Sequence, residues 1–364
     1  MCARLLPRTP ETVPMPGRPP PQLKSWEEAA AAAGPPKPAA RKAADWLAAV
    51  PSVRVGVSSC LLGQDVRWDG GNKADLVVQA LGRIFKWIPV CPEVEAGMGT
   101  PREPVHLVQR RGMPRMVGVE TGDDWTDDMV GFATERMPRW ADMNVRGWIL
   151  KSRSPSCALG DVPIYGRDGL VAETNGRGLF AKVLVYRMPL LPVEEESALQ
   201  DFDRAASFVD QVLGYDRLLR FVRKNPDRND LVRFQGVHEL TLLSRGSQQY
   251  RRLAHLAAAG RGTSQKENTI NYSTAFMRAL KLPASRANHA RALRRASFQA
   301  EHAIKKWDKV EIDKAIEAYT KGEAELSLPV GLLKQQMTAG ASWLGSQSYF
   351  DPCPPEILLE SISD

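Results

Sequence analysis

From Val53 onward the chain alternates two kinds of apolar pattern. VRVGVSS is short, β-branched and mostly apolar, as a strand buried on both faces must be. DLVVQALGRIF repeats its apolar positions every three or four residues and predicts a helix, and KWIPV predicts the next strand. VHLVQRRGMPRMVGV predicts two strands around a Gly/Pro turn. WTDDMVGFATERMPRW predicts an amphipathic helix with Asp124 or Thr126 as its cap. GWILKS then predicts a strand, GLFAKVLVYRM a helix, and PLLPVEEE a last strand running into a helix.

After Leu199 the strand signals nearly vanish and three-four spacing takes over, as in FDRAASFVDQVLGYDRLLRFVR and KVEIDKAIEAYTKG. The fold class expected is therefore α/β, a Rossmann-like parallel sheet with helices on both faces, followed by a mainly α-helical domain. A chain of 364 residues agrees with more than one domain. The divisions expected are a Pro/Ala-rich flexible arm over residues 1–50, an α/β domain over 51–200 and a helical domain over 201–364. Within the arm, AARKAADWLAAV predicts a short helix packing Trp46 and Leu47.

Apolar residues at 43% and charged residues at 25% suit a folded, soluble protein. The amino terminus lacks the apolar core of a signal peptide, and no apolar run is long enough to span a bilayer, so a cytoplasmic location is expected. The five cysteines, Cys2, Cys60, Cys91, Cys157 and Cys353, are too few and too scattered for a disulfide framework. They point to free thiols, a nucleophile or metal ligands. A cysteine hydrolase lacks an evident Cys/His pair, because His106 is the one histidine of the first domain and reads as a strand residue.

Three of the cysteines share a context. Cys60 ends VRVGVSSC, Cys91 ends KWIPVC, and Cys157 follows GWIL after the loop KSRSPS. Ligands of open parallel sheets sit at the carboxyl ends of the strands, so three strands can deliver three thiols to one edge. Around them lie Ser58, Ser59, Asp65, Arg67, Asp69, Glu93, Glu95, Arg102, Glu103, Ser152, Ser154 and Ser156. Structural zinc wants four ligands at tighter spacing, whereas three soft ligands suit an iron–sulfur cluster with one open corner. Plain burial of three strand-end cysteines stays open on spacing alone.

The blocks VGVSSCLLGQDVRWDGG, PVCPEVEAGMGTPREP, LKSRSPSCALG and GRGLFAKVLVYRMPLLPVEEE resemble the thiouracil desulfidase family over about residues 53–200. The helical remainder resembles the domain often fused to it, an arrangement similar to the prokaryotic RNA desulfidases that act on 4-thiouridine in tRNA. The resemblance implies that Cys60, Cys91 and Cys157 hold a [4Fe–4S] cluster with one open iron. It also implies that Glu93 and Ser154 are catalytic, and that a thiolated pyrimidine is converted to its oxo form with release of sulfide. Arg67, Asp69 and Arg102 stand as candidates for substrate binding or as braces of the loops, and an ordinary ion pair with Arg102 is the plainer alternative for Glu93. Two departures are visible: Ala158 follows the third cysteine where the family commonly has Gly, and LLSRG and Cys353 replace histidine-bearing wording in the helical domain.

The net charge of +7 becomes informative once located. Between Tyr215 and Lys309 about twenty Lys and Arg stand against about seven Asp and Glu. Arg217, Arg220, Arg223 and Lys224 gather on one helical side, as do Arg291, Arg294 and Arg295, with Lys305, Lys306 and Lys309 following. Phosphate contacts dominate nucleic-acid affinity, so thiolated tRNA is the partner expected, with Arg220, Arg223, Lys224, Arg291, Arg294 and Arg295 as contact candidates. Two alternatives remain: a desulfidase of free thiouracil with a structural helical domain, and a non-enzymatic iron–sulfur RNA-binding protein.

Overall fold

A computed structural model describes residues 52–259, 264–302, 304–338 and 342–350. The arm over 1–50 with its expected helix lies outside the described residues, as do Cys2 and Cys353. The described residues divide into two compact units, 52–215 and 216–350. Among them no helix is long and apolar enough to cross a membrane.

The first unit holds β1 (Val53–Ser58), β2 (Phe85–Val90), β3 (Val105–Arg110), β4 (Met113–Gly118), β5 (Val145–Leu150), β6 (Val162–Tyr165), β7 (Val171–Gly176) and β8 (Val193–Glu195). Its helices are α1 (Leu76–Leu81), α2 (Pro92–Glu95), α3 (Thr126–Asp142), α4 (Leu179–Arg187) and the start of α5 (Phe202–Val222). One sheet runs β2-β1-β5-β8 and is parallel throughout. β5 is buried at every position, which is what parallel strands covered on both faces require.

Successive residues of β5 show that cover. The Trp148 ring packs against Trp140 of α3 and Phe180 of α4, with centroids 4.6 and 5.5 Å away. A Cβ on Gly147 would instead meet Val212 and Phe208 of α5. Alternate strand residues face opposite sides, so helices cover both faces, as expected. Gly56 of β1 makes room for the same indole, since a Cβ there would fall 2.4 Å from the Trp148 ring.

A second sheet, β4-β3-β6-β7, was not foreshadowed as such. β3 and β4 form the expected antiparallel pair, but β6 and β7 form a further hairpin within DVPIYGRDGLVAETNG, and β6 lies parallel to β3. The helix expected in DLVVQALGRIF stops at Leu81, where Gly82 caps it, and Phe85 already belongs to β2. At α3 the residue before the first turn is Trp125, and Asp124 caps from one position earlier by accepting from Thr126 N at 3.1 Å.

The second unit continues α5 and adds α6 (Arg228–Val237), α7 (Glu239–Arg245), α8 (Ser247–Ala258), α9 (Gln265–Leu280), α10 (Arg286–Gln299), α11 (Lys306–Lys321), α12 (Ser327–Thr338) and α13 (Ser342–Ser346). His238, between α6 and α7, is buried beside Phe234 and Phe276, with Nδ1 2.8 Å from the Phe234 carbonyl. Burial first, and then the charge of Arg217, lower its pKa to about 3. The native state therefore stays unprotonated while the unfolded state takes up a proton below its ordinary value near 6.5. Stability from this residue is full above pH 6.5 and is lost as pH falls toward 3. At pH 4.5 the loss expected is about 2–3 kcal/mol. Denaturant unfolding at pH 7 and 4.5 checks this: His238→Phe should shrink the difference between the two, and an identical pH dependence in the variant would contradict it.

Candidate active site

Three adjacent strands, β2, β1 and β5, end on one edge of the parallel sheet, with Ser58 paired in register to Val90. Cys60 sits in a single 3-10 turn, Ser59–Leu62, directly after β1. Cys91 follows β2 and precedes α2, whose first residue Pro92 suits a helix start. Cys157 lies in the loop after β5, and that loop is tied to β1 by a hydrogen bond of 3.0 Å from Lys151 N to Ser58 Oγ. All three are free thiols.

Their electrostatics place them in one neighbourhood. Burial and then the Cys91 thiol push Cys60 up to about 11, against the pull of Lys151 and Arg67. Burial and then Glu93 push Cys157 up to about 12, with Ser58 and Ser156 pulling the other way and Cys60 adding to the rise. Cys91 is raised by burial and by Glu93, opposed by the backbone amides of Val94 and Glu93 and by Arg102. Among the described residues no three His, Cys, Asp or Glu gather tightly enough to bind one common ion. A multi-iron cluster makes a different demand, because each thiolate binds a different iron and the sulfurs stand apart.

Glu93 lies between Cys91 and Cys157. Its Oε2 is ion-paired with Arg102, and its Oε1 accepts from Ser156 Oγ at 2.5 Å. Arg102 also donates to the carbonyls of Val66 (3.0 Å) and Gly99 (2.8 Å). Its guanidinium, only 6% exposed, is thus committed to bracing Glu93 and the loop that carries it. Arg67 and Asp69 hold each other loosely at 3.3 Å on an exposed loop. That loop folds back over the cysteines, since Lys73 N donates to the Cys60 carbonyl and the Val66 carbonyl stands 3.6 Å from Cys91 Sγ. Asp65 binds Asn72 within it, Glu95 faces Arg136, and Glu103 binds Thr121 away from the thiols.

Ser154 Oγ accepts from the amides of Ser156 (3.3 Å) and Cys157 (3.2 Å), so it shapes the loop that presents the third thiol. Its hydroxyl also lies 2.9 Å from Ser156 Oγ. Because Ser156 donates to Glu93, Ser154 is left to donate to Ser156. The result is a directed chain from Ser154 through Ser156 to Glu93 Oε1. Ser156 is fully buried and also stands 3.6 Å from Cys157 Sγ. The resemblance pointed to Ser154, and the folded loop shows Ser156 as the serine that donates to Glu93 directly. Ser152 instead joins Lys151 on buried Glu196, the carboxylate that faces Cys60. Ser58, a donor to Cys157, is a further residue whose role its sequence context did not specify.

Ser156→Ala removes the donor from a nearly buried carboxylate, so a stability loss of about 1–3 kcal/mol is expected. Turnover should fall with KM little changed. Steady-state kinetics alongside unfolding curves check this, and wild-type kcat would count against the chain.

In the helical unit Arg295 donates to Glu239, whose side chain is 2% exposed, at 2.8 Å. Arg220 pairs with Asp216, Arg291 with Asn288, and Arg294 with Thr320. Arg220, Arg223, Lys224, Arg291 and Arg294 are exposed, whereas Arg295 is partly buried.

A sequence model of the 2-thiouracil desulfurase family matches residues 55–196, the stretch that carries all three thiols. An uncharacterized protein of Bacillus subtilis (strain 168), YbbK, is 31% identical over 133 residues, which is 35% of this chain and 87% of that protein. The chain belongs to the 2-thiouracil desulfurase family. Outside that family region, residues 240–354 match a family described as a protein of unknown function, DUF1722. Among solved structures, a [4Fe-4S]-dependent thiouracil desulfidase, TudS, is 33% identical, covering 41% of this chain and 94% of that one with a TM-score of 0.33. In this 2-thiouracil desulfurase domain the matched region begins within β1 and ends just beyond β8, so it spans the whole parallel sheet.

Proposed function

We propose that this chain is an iron–sulfur-dependent desulfidase that hydrolyses the C=S bond of a thiolated pyrimidine, with 4-thiouridine in tRNA as its substrate. The observation that carries the reading is the convergence of Cys60, Cys91 and Cys157 on one sheet edge with Glu93 beside two of them. The donor set fits the group: three free, soft thiols lie on separate loops, each made costly to ionise by burial and so in need of a compensating cation. Cys60, Cys91 and Cys157 would hold a [4Fe–4S] cluster, which would supply Lewis-acid chemistry suited to a soft thione sulfur.

The chain's own residues supply the proton chemistry. Glu93 is held by Arg102 on one oxygen, so its other oxygen has a fixed direction toward Ser156 and the site. It acts as general base toward a water attacking C4 of the pyrimidine. Ser156 and Ser154 keep Glu93 aligned and give the proton a route through their hydroxyls. One water enters, its oxygen becomes the new carbonyl, and sulfur leaves as hydrosulfide. No electron donor is needed, because carbon keeps its oxidation state.

The choice of a tRNA substrate is supported by the excess of Lys and Arg between Tyr215 and Lys309. Anaerobically reconstituted protein given 4-thiouridine-containing tRNA should abolish the thione absorbance and release sulfide. An intact cluster with unchanged absorbance would refute the enzyme reading. Loss of absorbance from free thiouracil alone would move the substrate to the free base.

A further inference from the structure

The second sheet presents an outward face that the site chemistry does not use. Along β3, Leu107 is buried while His106, Val108 and Arg110 alternate to the other side. Val108 pairs in register with Tyr165 of β6, which brings the tyrosine onto the same face. The rings of His106 and Tyr165 lie 5.2 Å apart, tilted by 36°. With Arg111, Val119 and Arg167 they line an open groove of about 830 Å³.

The charges at its far end are largely uncommitted. Arg110 reaches Asp124 only at 3.6 Å, and Arg115 already occupies that carboxylate at 2.8 Å while also facing Asp127. Asp168 is turned to its own loop, accepting from Leu170 N. No hydrogen bond or ion pair among the described residues engages the side chains of Arg111 and Arg167, both exposed on hairpin turns. Arg111 and Gly112 both have positive φ, as a two-residue hairpin turn demands, so the turn geometry holds Arg111 out at the tip.

The position of the face relative to the thiols gives it meaning. β3 emerges from the loop that holds Arg102, and β6 emerges five residues after Cys157. The two strands run parallel, so both lead away from the cysteine loops toward the arginines. The six strand residues from Val105 to Arg110 cover roughly 17 Å, more than one nucleoside occupies. A sheet face with aromatic rings leading to a group of cations is how single-stranded nucleic acid is commonly held: rings stack bases and cations take phosphates.

We propose that this face is a track for single-stranded RNA, on which His106 and Tyr165 stack a base flanking the thiolated one while Arg110, Arg111 and Arg167 bind phosphates. The proposal rests on the desulfidase reading and names how that domain itself grips a polynucleotide.

The test uses the full chain carrying Arg111→Ala and Arg167→Ala, two side chains remote from the thiols, beside a separate Tyr165→Leu variant. Anisotropy of a fluorescent single-stranded RNA should show Kd raised about tenfold in the double variant at physiological salt, with a salt slope shallower by about 1.4. Turnover of free 4-thiouridine should stay at the wild-type rate while kcat/KM on thiolated RNA falls. Tyr165→Leu should weaken RNA binding without changing the salt slope. Unchanged Kd and slope in the double variant would overturn the track even if both substrates are turned over. Unchanged RNA binding with an altered solution mass would assign the face to a second copy instead. If the wild type binds RNA through this face but desulfurises nothing, the track stands and the desulfidase reading falls.

Discussion

Replacing Glu93 by Gln is expected to lower kcat on a thiolated pyrimidine by about 10²–10⁴-fold, the usual value of a positioned general base. Iron and acid-labile sulfide should stay at the wild-type level. Gln keeps the length of the side chain and an oxygen for Ser156 Oγ or Arg102, so the brace across Val66 and Gly99 is retained. What it loses is the capacity to take a proton. Glu93→Gln thus separates a carboxylate that acts on water from one that only anchors Arg102. A variant with full turnover, or one that loses its iron, would assign Glu93 to the scaffold.

The second large effect concerns the thiols. Cys157→Ala should reduce iron and acid-labile sulfide of anaerobically purified protein to background and abolish desulfurisation, with helical content by circular dichroism unchanged. Cys157 is 5% exposed and its Sγ stands 3.6 Å from Ser156 Oγ, but the loop is also held from outside the thiol, by Ser154 Oγ on the Cys157 amide and by Leu179 N on the Pro155 carbonyl. The fold therefore has support that does not pass through the sulfur. Cys353→Ala is the matching control and should keep its cluster. Undiminished iron in Cys157→Ala would overturn the ligand assignment.

The centre of the parallel sheet was readable because β1 and β5 are short, mostly apolar and buried at nearly every position. The second sheet was harder. β7, VAETNG, is exposed at every position but its last, so no apolar alternation marks it; it is a strand because β6 offers it an edge. Pro163 also breaks the run that precedes the hairpin turn, so β6 carries little strand signal of its own. The site divides in the same way. Cysteines placed just past strand ends follow from local pattern plus the rule about carboxyl edges. The link from Ser154 through Ser156 to Glu93 joins residues more than sixty positions apart, and nothing local marks Ser156 rather than Ser154 as the one that reaches the carboxylate. Arg102 was legible in part: its place in a loop near the site left a substrate role and a brace both open, and the guanidinium is turned inward onto Glu93 and two carbonyls.

Mass spectrometry of the product formed in ¹⁸O-labelled water tests the central claim most directly. The reconstituted protein, given 4-thiouridine-containing tRNA without any reductant, should yield uridine carrying the label at C4, with one sulfide released for each uridine formed. Unlabelled uridine, or a reaction that starts only when an electron donor is added, would contradict hydrolysis at the site built by Cys60, Cys91, Cys157 and Glu93.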